Sequence, residues 1–172
     1  MNYKKRNHRQ QKLKEKLKEN KLQNMPDQYT IVAARIIDAP RSLVFKAWED
    51  PEILITWWGP KDFTNTFHAF DFIPGGTWSF TMHSPDGTNY PNTNIFENIV
   101  APELIVFTHQ QPAHQFKATI SFDEVSDKTK IVWHMLFHSA EECARVRSFI
   151  AIANEQNFDR LEAALAKITV AG

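Results

Sequence analysis

The residues that could bind a metal or carry out catalysis are few in this chain and widely spaced. None of the seven histidines belongs to an H-x-x-x-H pair on a predicted helix, and the single cysteine, Cys143, excludes a Cys-x-x-Cys motif. The spacings typical of structural zinc sites are therefore absent, as are the G-x-S-x-G, P-loop and dinucleotide-binding signatures. His138 and Cys143 could form a nucleophilic pair, but this signal is weak. We therefore predict no metal and no cofactor, assign no catalytic residue, and favour a protein that is not an enzyme.

Aromatic residues are the unusual part of the composition, with 13 Phe and 5 Trp against 3 Tyr. Alternate side chains of a strand share a face, and this alternation collects rings and thioethers on one face of the predicted sheet. That face receives Trp78, Phe80, Met82, Ile105, Phe107, Phe116, Phe122, Trp133, Met135 and Phe137. By pattern alone, a plain core is favoured over a ligand pocket. His109 is the polar exception on this face and is the candidate for contact with a ligand.

The elements that would position these rings follow from local signals. A β-branched strand at 29–37 precedes two short helices, which begin at Pro40 and Glu52. Turn residues typical of an antiparallel meander separate six further strands, at 64–72, 77–83, 90–100, 104–110, 115–124 and 129–138. We therefore predict an α+β fold in which seven strands pack against the C-terminal helix.

That helix is expected to be long, covering about 140–168. Ser139 is its predicted N-cap, with Glu142 at the capping-box spacing. Helical periodicity predicts an apolar face made of Val146, Phe149, Ile150, Ala153, Asn157, Leu161, Ala164 and Ile168.

Charge divides the chain into two parts. The 172 residues have a formal net charge of zero, but residues 1–21 contain nine Lys or Arg and two Glu, which leaves +7 there and −7 elsewhere. We predict that residues 1–24 form a basic, disordered tail that could contact an anionic partner, and that residues 25–172 form a single domain. Met25 is left open as an alternative start. The acidic domain is not expected to bind nucleic acid.

Location and assembly are less well defined by the sequence. The chain has neither an apolar run of membrane-spanning length nor a secretory signal, and it has a single thiol; these features favour a cytoplasmic protein. Monomer and dimer both stay open.

Several spaced motifs resemble those of one protein family. They are P-x-x-x-V-F-x-A-W from Pro40, D-P-E from Asp50, W-W-G-P from Trp57, D-F-x-P-G-G-x-W-x-F-x-M from Asp71, P-D-G from Pro85, Y-P-N from Tyr90, P-E-x-x-V-F-T from Pro102 and F-D-R-L from Phe158. Over about 30–168 the sequence is similar to the bacterial family related to the C-terminal domain of the activator of the 90-kDa heat-shock chaperone ATPase. That family belongs to the START-like, birch-pollen-allergen-like (SRPBCC) superfamily. The resemblance implies a helix-grip fold, in which a curved antiparallel sheet surrounds a long C-terminal helix and a cavity lies between them.

One departure from the family pattern concerns the long helix. Relatives usually carry Gly-Trp shortly before the Asp-Arg-Leu segment, where this chain has Ala153 and Asn154. A polar amide in place of a large ring is expected to enlarge the cavity or change its polarity.

The leading hypothesis is a protein that binds an apolar, lipid-like or aromatic small molecule between sheet and helix. His109 and Asn154 would orient a polar group of the ligand. The expected apolar lining consists of Trp57, Trp58, Trp78, Phe80, Phe107, Trp133, Met135 and Phe149.

Two other functions stay open. A co-chaperone or stress-related interaction protein would use its outer surface, and a closed core with an exposed apolar patch would favour it. A cyclase- or hydrolase-type enzyme would use His109 as its acid–base group, and two or more polar groups converging on a cavity would favour that function.

Overall fold

The computed structural model of the chain describes residues 27–112 and 114–171, so the predicted basic tail at 1–24 lies outside the described residues. A 3-10 turn at Asp27–Tyr29 precedes the first strand. The strands are β1 (Thr30–Ile37), β2 (Thr64–Phe70), β3 (Thr77–His83), β4 (Asn89–Val100), β5 (Leu104–His109), β6 (Phe116–Val125) and β7 (Lys128–Phe137), and the helices are α1 (Arg41–Glu49), α2 (Pro51–Trp57) and α3 (Ala140–Ala171). Each predicted element is present, although β2 ends two residues early and α3 runs three residues further. None of the helices in these ranges is both long enough and apolar enough to cross a membrane.

In the described part of the chain, all seven strands form one antiparallel sheet in the order β1-β7-β6-β5-β4-β3-β2. Strands β2 to β7 follow one another as a meander, and β1 pairs with the last of them, from Thr30 opposite Leu136 to Ile37 opposite Thr129. Helices α1 and α2 form the connection between β1 and β2, and α3 packs against the inner face of the curved sheet. The predicted α+β helix-grip fold is therefore confirmed.

Capping side chains explain where two of the helices begin. The Asp50 carboxylate accepts a hydrogen bond of 3.0 Å from the backbone N–H of Glu52, and Pro51 occupies the first turn of α2, where a missing N–H leaves no bond unmade. At α3, Ser139 Oγ accepts a hydrogen bond of 3.0 Å from the Glu142 N–H, which confirms the predicted cap. Both caps satisfy N–H groups that have no partner within their helix.

All five tryptophans of the chain form one cluster, which we call the tryptophan cluster: Trp48, Trp57, Trp58, Trp78 and Trp133. Trp58 is at its centre, with ring centroids 4.7 Å from Trp78, 5.2 Å from Trp133, 5.7 Å from Trp48 and 5.8 Å from Trp57. None of the five is more than 8% exposed. The cluster joins α1, the end of α2 and the sheet into one packed core.

The buried face of α3 differs in part from the predicted one. Ala153 and Leu161 are buried as expected, and the face also includes Asn154 and Phe158. Phe149 is 66% exposed, so its prediction as a buried residue was wrong. Helical spacing identifies which residues share one face of the helix, but it does not show over what length that face contacts the sheet.

A candidate ligand cavity between the sheet and the long helix

A cavity of about 370 Å³, open to solvent at one side, lies between the sheet and the first half of α3. Inner-facing side chains of β3 to β7 form one wall, α3 from Val146 to Asn157 forms the other, and residues 58–60 close one end. Most of the wall is aromatic or aliphatic. The exposed rings of Tyr90 and Phe149 lie at the mouth.

Eight of the ten residues that the sequence suggested for a ligand site line this cavity. They are Trp58, Phe80, Phe107, His109, Trp133, Met135, Phe149 and Asn154. Trp57 and Trp78 belong to the packed core instead: Trp57 donates its indole N–H to the Ala47 carbonyl at 2.9 Å, and the Trp78 ring lies 5.8 Å from that of Phe107. The alternation along β3 correctly indicates that Trp78 points to the inner face, but it does not show whether the side chain there lies in the packed core or at the cavity.

A hydrogen-bonded pair, His109 and Asn94, projects from the sheet at the cavity wall. The two residues are direct partners in the β4–β5 ladder, and His109 Nδ1 lies 2.7 Å from Asn94 Oδ1. Because the amide oxygen can only accept, Nδ1 carries the proton and Nε2 keeps a free lone pair. Asn94 is 1% exposed and His109 is 7% exposed. The sheet therefore presents a buried imidazole of defined tautomer to the cavity.

The surroundings of His109 keep its imidazole neutral. Its ring stacks on Phe116 with 4.8 Å between centroids. Burial, and secondly the nearby His114, lower the pKa of His109 to about 4. His114 lies at the mouth, where its Nδ1 is 3.5 Å from a Glu142 carboxylate oxygen. At neutral pH, His109 is thus an uncharged hydrogen-bond acceptor.

Asn154 supplies a second polar group, from the helix side of the cavity. It is 4% exposed, and the one hydrogen bond found for its side chain among the described residues runs from Nδ2 to the Met135 sulfur at 3.7 Å. A thioether is a weak acceptor, and an amide side chain can make about four hydrogen bonds. Asn154 therefore has most of its hydrogen-bonding capacity unused within a largely apolar wall.

Asn157, one turn further along α3, is satisfied and has a structural role. Its Oδ1 accepts a hydrogen bond of 2.7 Å from the Gly59 N–H, and its Nδ2 donates to the Ala153 carbonyl at 3.0 Å. Gly59 has a φ of +100°, a backbone conformation that residues with a side chain rarely adopt, so glycine is needed at this position. The contact fixes the W-W-G-P loop against the helix.

Arg160 strengthens the same connection. Its Nη1 donates to the carbonyls of Trp58, Gly59 and Pro60 at 3.2, 2.9 and 2.9 Å, and its Nη2 donates to Thr56 at 3.2 Å. These bonds satisfy carbonyls at the end of α2 and just beyond it, which a helix leaves without partners. Two separate motifs, W-W-G-P and F-D-R-L, are therefore joined by hydrogen bonds, and of the two only W-W-G-P contributes residues to the cavity wall.

The nucleophilic pair suggested by the sequence does not form. Cys143 is fully buried, the pKa of its thiol is raised, first by burial, and Arg147 Nη2 lies 3.3 Å from its sulfur. His138 is exposed, and no hydrogen bond links it to Cys143 in the described part of the chain. Within residues 27–112 and 114–171, no group of three or more His, Cys, Asp or Glu side chains is placed to hold a metal ion.

Sequence reasoning missed Asn94, the partner of His109. The sequence could have indicated only that Asn94 is on the inner face of β4. Its pairing with His109 depends on the register between β4 and β5, which shifts at an irregularity between Phe96 and Asn98. Phe116 and Phe137 line the cavity too. They were expected on the inner face and not at a ligand site.

Solved structures from bacteria share this fold. A crystal structure of a protein from Nitrosomonas europaea is 19% identical with a TM-score of 0.76, and the match covers 83% of this chain and 97% of that chain. A solution structure from Arthrobacter aurescens is 23% identical with a TM-score of 0.76, covering 82% and 88% of the two chains. The AHSA1-like protein from Aeromonas hydrophila is 20% identical with a TM-score of 0.67, covering 78% and 93%.

The family assignment comes from the sequence match. No curated protein matches the chain significantly. The profile of the family described as Activator of Hsp90 ATPase homolog 1-like protein matches residues 38–166. This match includes the two short helices, six strands and most of α3, and the chain therefore belongs to the Activator of Hsp90 ATPase homolog 1-like family.

Proposed function

We propose that this protein binds a mostly apolar small molecule in the cavity between the sheet and α3. The observation that carries the proposal is the cavity itself, about 370 Å³ in volume, open at one side and lined mainly by rings and aliphatic side chains. Pockets for small ligands have roughly this size and combine an apolar wall with a few polar groups. The START-like superfamily, to which the fold belongs, is of the ligand-binding type.

The composition of the wall fits a ligand-binding site better than a part of the packed core. Protein interiors are normally packed to the density of organic crystals, and an empty volume beside large side chains reduces stability. A buried amide without partners costs about 1–3 kcal/mol. Asn154 combines both features, since it lies beside open space and makes one weak hydrogen bond. A bound molecule would supply the missing contacts.

A cyclase- or hydrolase-type enzyme acting in the same cavity is the second candidate function. The observation that favours it is the convergence of His109, Asn94 and Asn154 on one cavity. Binding without turnover is the stronger proposal for two reasons. An imidazole with a pKa of about 4 is a weak base at neutral pH, and no Asp, Glu or Cys is among the described residues that line the cavity.

The test is to fill the cavity from the helix. We expect Asn154→Trp to place a ring in the open volume and to raise the Kd of the neutral dye N-phenyl-1-naphthylamine at least tenfold, measured by dye fluorescence. The matched control is Ile152→Trp, which adds a ring to the same helix at a side chain that is 61% exposed and is expected to leave the Kd unchanged.

Stability measurements accompany the titration, because overpacking can cost 1–3 kcal/mol. Urea unfolding should show that both variants are folded under the titration conditions. Equal dye affinity in the wild type and folded Asn154→Trp, or no saturable dye binding by the wild type, would contradict the proposal.

A further inference from the structure

We infer that the molecule bound in this cavity is uncharged and carries a hydroxyl group that donates a hydrogen bond to His109 Nε2, an inference that rests on the binding function proposed above. Three independent features of the wall lead to it: the tautomer of His109, the character of the other polar groups, and the absence of charge.

The first feature is the orientation of the imidazole. Asn94 Oδ1 holds Nδ1 as the donor, at 2.7 Å, so the second ring nitrogen can only accept while the ring is neutral. No partner for Nε2 is found among the described residues, and His109 is a lining residue that is 7% exposed. A ligand that displaces water from His109 must therefore bring an O–H or N–H donor if Nε2 is to make a hydrogen bond.

The second feature is the state of Asn154. Its Nδ2 already donates to Met135, whereas its oxygen accepts no hydrogen bond from the residues described. The helix thus also offers an unpaired acceptor to the cavity. The amide nitrogens of Asn94 and Asn154 also keep N–H donors that have no partner among the described residues, so the wall offers both acceptors and donors. A hydroxyl donates one hydrogen bond and accepts others, and it can therefore satisfy both kinds of group, whereas a ketone or an ether can only accept.

The third feature is the charge of the lining. No Lys, Arg, Asp or Glu is among the described residues that line the cavity. Arg160, the cation beside the closed end, is engaged with four backbone carbonyls. A buried carboxylate or ammonium would have no opposite charge to pair with, and such burial is strongly unfavourable. A charged group beside the buried His109 is therefore disfavoured, and at that position a neutral alcohol or phenol is favoured over a carboxylate.

The test uses three probes that share one ring system and differ in a single polar group: 2-naphthol, 2-methoxynaphthalene and 2-naphthoate. Their dissociation constants are measured on the full chain at pH 7 by calorimetry and by displacement of N-phenyl-1-naphthylamine. We expect 2-naphthol to bind about tenfold more tightly than 2-methoxynaphthalene, which retains the oxygen but has no proton to donate. The naphthoate anion should bind at least 100-fold more weakly than 2-naphthol.

Variants assign the preference to a residue. In His109→Phe the ratio between 2-naphthol and 2-methoxynaphthalene should fall to about one, because the acceptor is lost while the ring volume is kept. The control is His138→Phe, at an exposed histidine that is not among the residues lining the cavity, which should leave the ratio near ten. If His109→Phe does not fold, the order of the three probes on the wild type decides the question alone.

The outcomes separate this inference from the function on which it rests. Tighter binding of 2-methoxynaphthalene or 2-naphthoate than of 2-naphthol, or equal binding of all three, would overturn the hydroxyl assignment and leave the binding function standing. If neither the dye nor any of the probes binds saturably, the binding function fails and the inference fails with it.

Discussion

The interface between the sheet and α3 is solid at one end and hollow at the other. At the solid end, Phe158 and Leu161 of the helix are at most 1% exposed and pack beside the tryptophan cluster. At the hollow end, the helix faces the sheet with Ala153 and Asn154, and the cavity opens beside exposed Phe149. The sheet contributes large rings at both ends. The side chains of the helix therefore decide whether the aromatic face of the sheet becomes a core or a pocket.

Polar contacts follow the same division. The solid end is tied together by Arg160 and also by Arg35 of β1, which lies 2.6 Å from carboxylate oxygens of Glu155 and Asp159 and 3.2 Å from Glu162. The Arg35 guanidinium also lies 5.3 Å from the centre of the Phe158 ring. At the hollow end, the polar groups of His109 and Asn154 point toward empty space. At the solid end the polar side chains are used to stabilise the fold, whereas at the hollow end they are available to bind a ligand.

The largest expected effect compares two phenylalanines of the same helix. Phe158→Ala should lower the free energy of unfolding by about 3–5 kcal/mol, because it removes a fully buried ring from the packed end. Phe149→Ala should change it by less than about 0.5 kcal/mol, because that ring is mostly in solvent. Urea unfolding of both variants measures the difference. Similar losses would show that the two ends of the interface are equally packed.

The next effect is the pH dependence that His109 contributes. Its folded pKa of about 4 lies below the ordinary value of 6.5, so on acidification the unfolded chain takes up the proton first. The contribution is fully present above pH 6.5 and is lost as the pH falls toward 4, reaching about 2 kcal/mol of destabilisation at pH 5.

The measurement is urea unfolding at pH 7.5 and pH 5 for the wild type and His109→Gln. The variant should lose about 2 kcal/mol less than the wild type between the two pH values. Parallel losses would mean that the imidazole is hydrated and that the hollow end is not shielded from water.

The smallest effect distinguishes the two buried asparagines of α3. Asn157→Leu should cost about 1–2 kcal/mol, because the N–H of Gly59 loses its acceptor in a buried position. Asn154→Leu should not lower the unfolding free energy, since it removes a poorly satisfied amide whose one side-chain partner among the described residues is the weak acceptor Met135. Chemical denaturation of the two variants side by side provides the test. If Asn154→Leu lowers the free energy of unfolding as much as Asn157→Leu does, the side chain of Asn154 also stabilises the fold.

The fold could be predicted largely from the sequence because its signals are local. Alternation, turn residues and the Ser139 cap are read within a few positions, and the resemblance supplied the helix-grip topology. The candidate site was only partly predictable because it depends on distant pairings. The pairing of Asn94 with His109 depends on the register between β4 and β5. The exposure of Phe149 depends on where α3 stops packing against the sheet. Two sequence signals pointed to the hollow end: the departure from the family pattern at Ala153 and Asn154, and His109 as the polar exception on the inner face.

The tryptophan cluster also has an optical consequence. All five indoles are linked through ring-centroid separations of 4.7–5.8 Å, so excitation absorbed by any of them migrates rapidly among all of them. Trp58 and Trp133 face the cavity. A ligand that quenches either of them also reduces the emission of the three tryptophans that do not face the cavity, because their excitation is transferred to the quenched residue. The intrinsic emission of the protein should therefore respond to occupancy of the cavity as one collective signal, larger than two contacted fluorophores would give on their own.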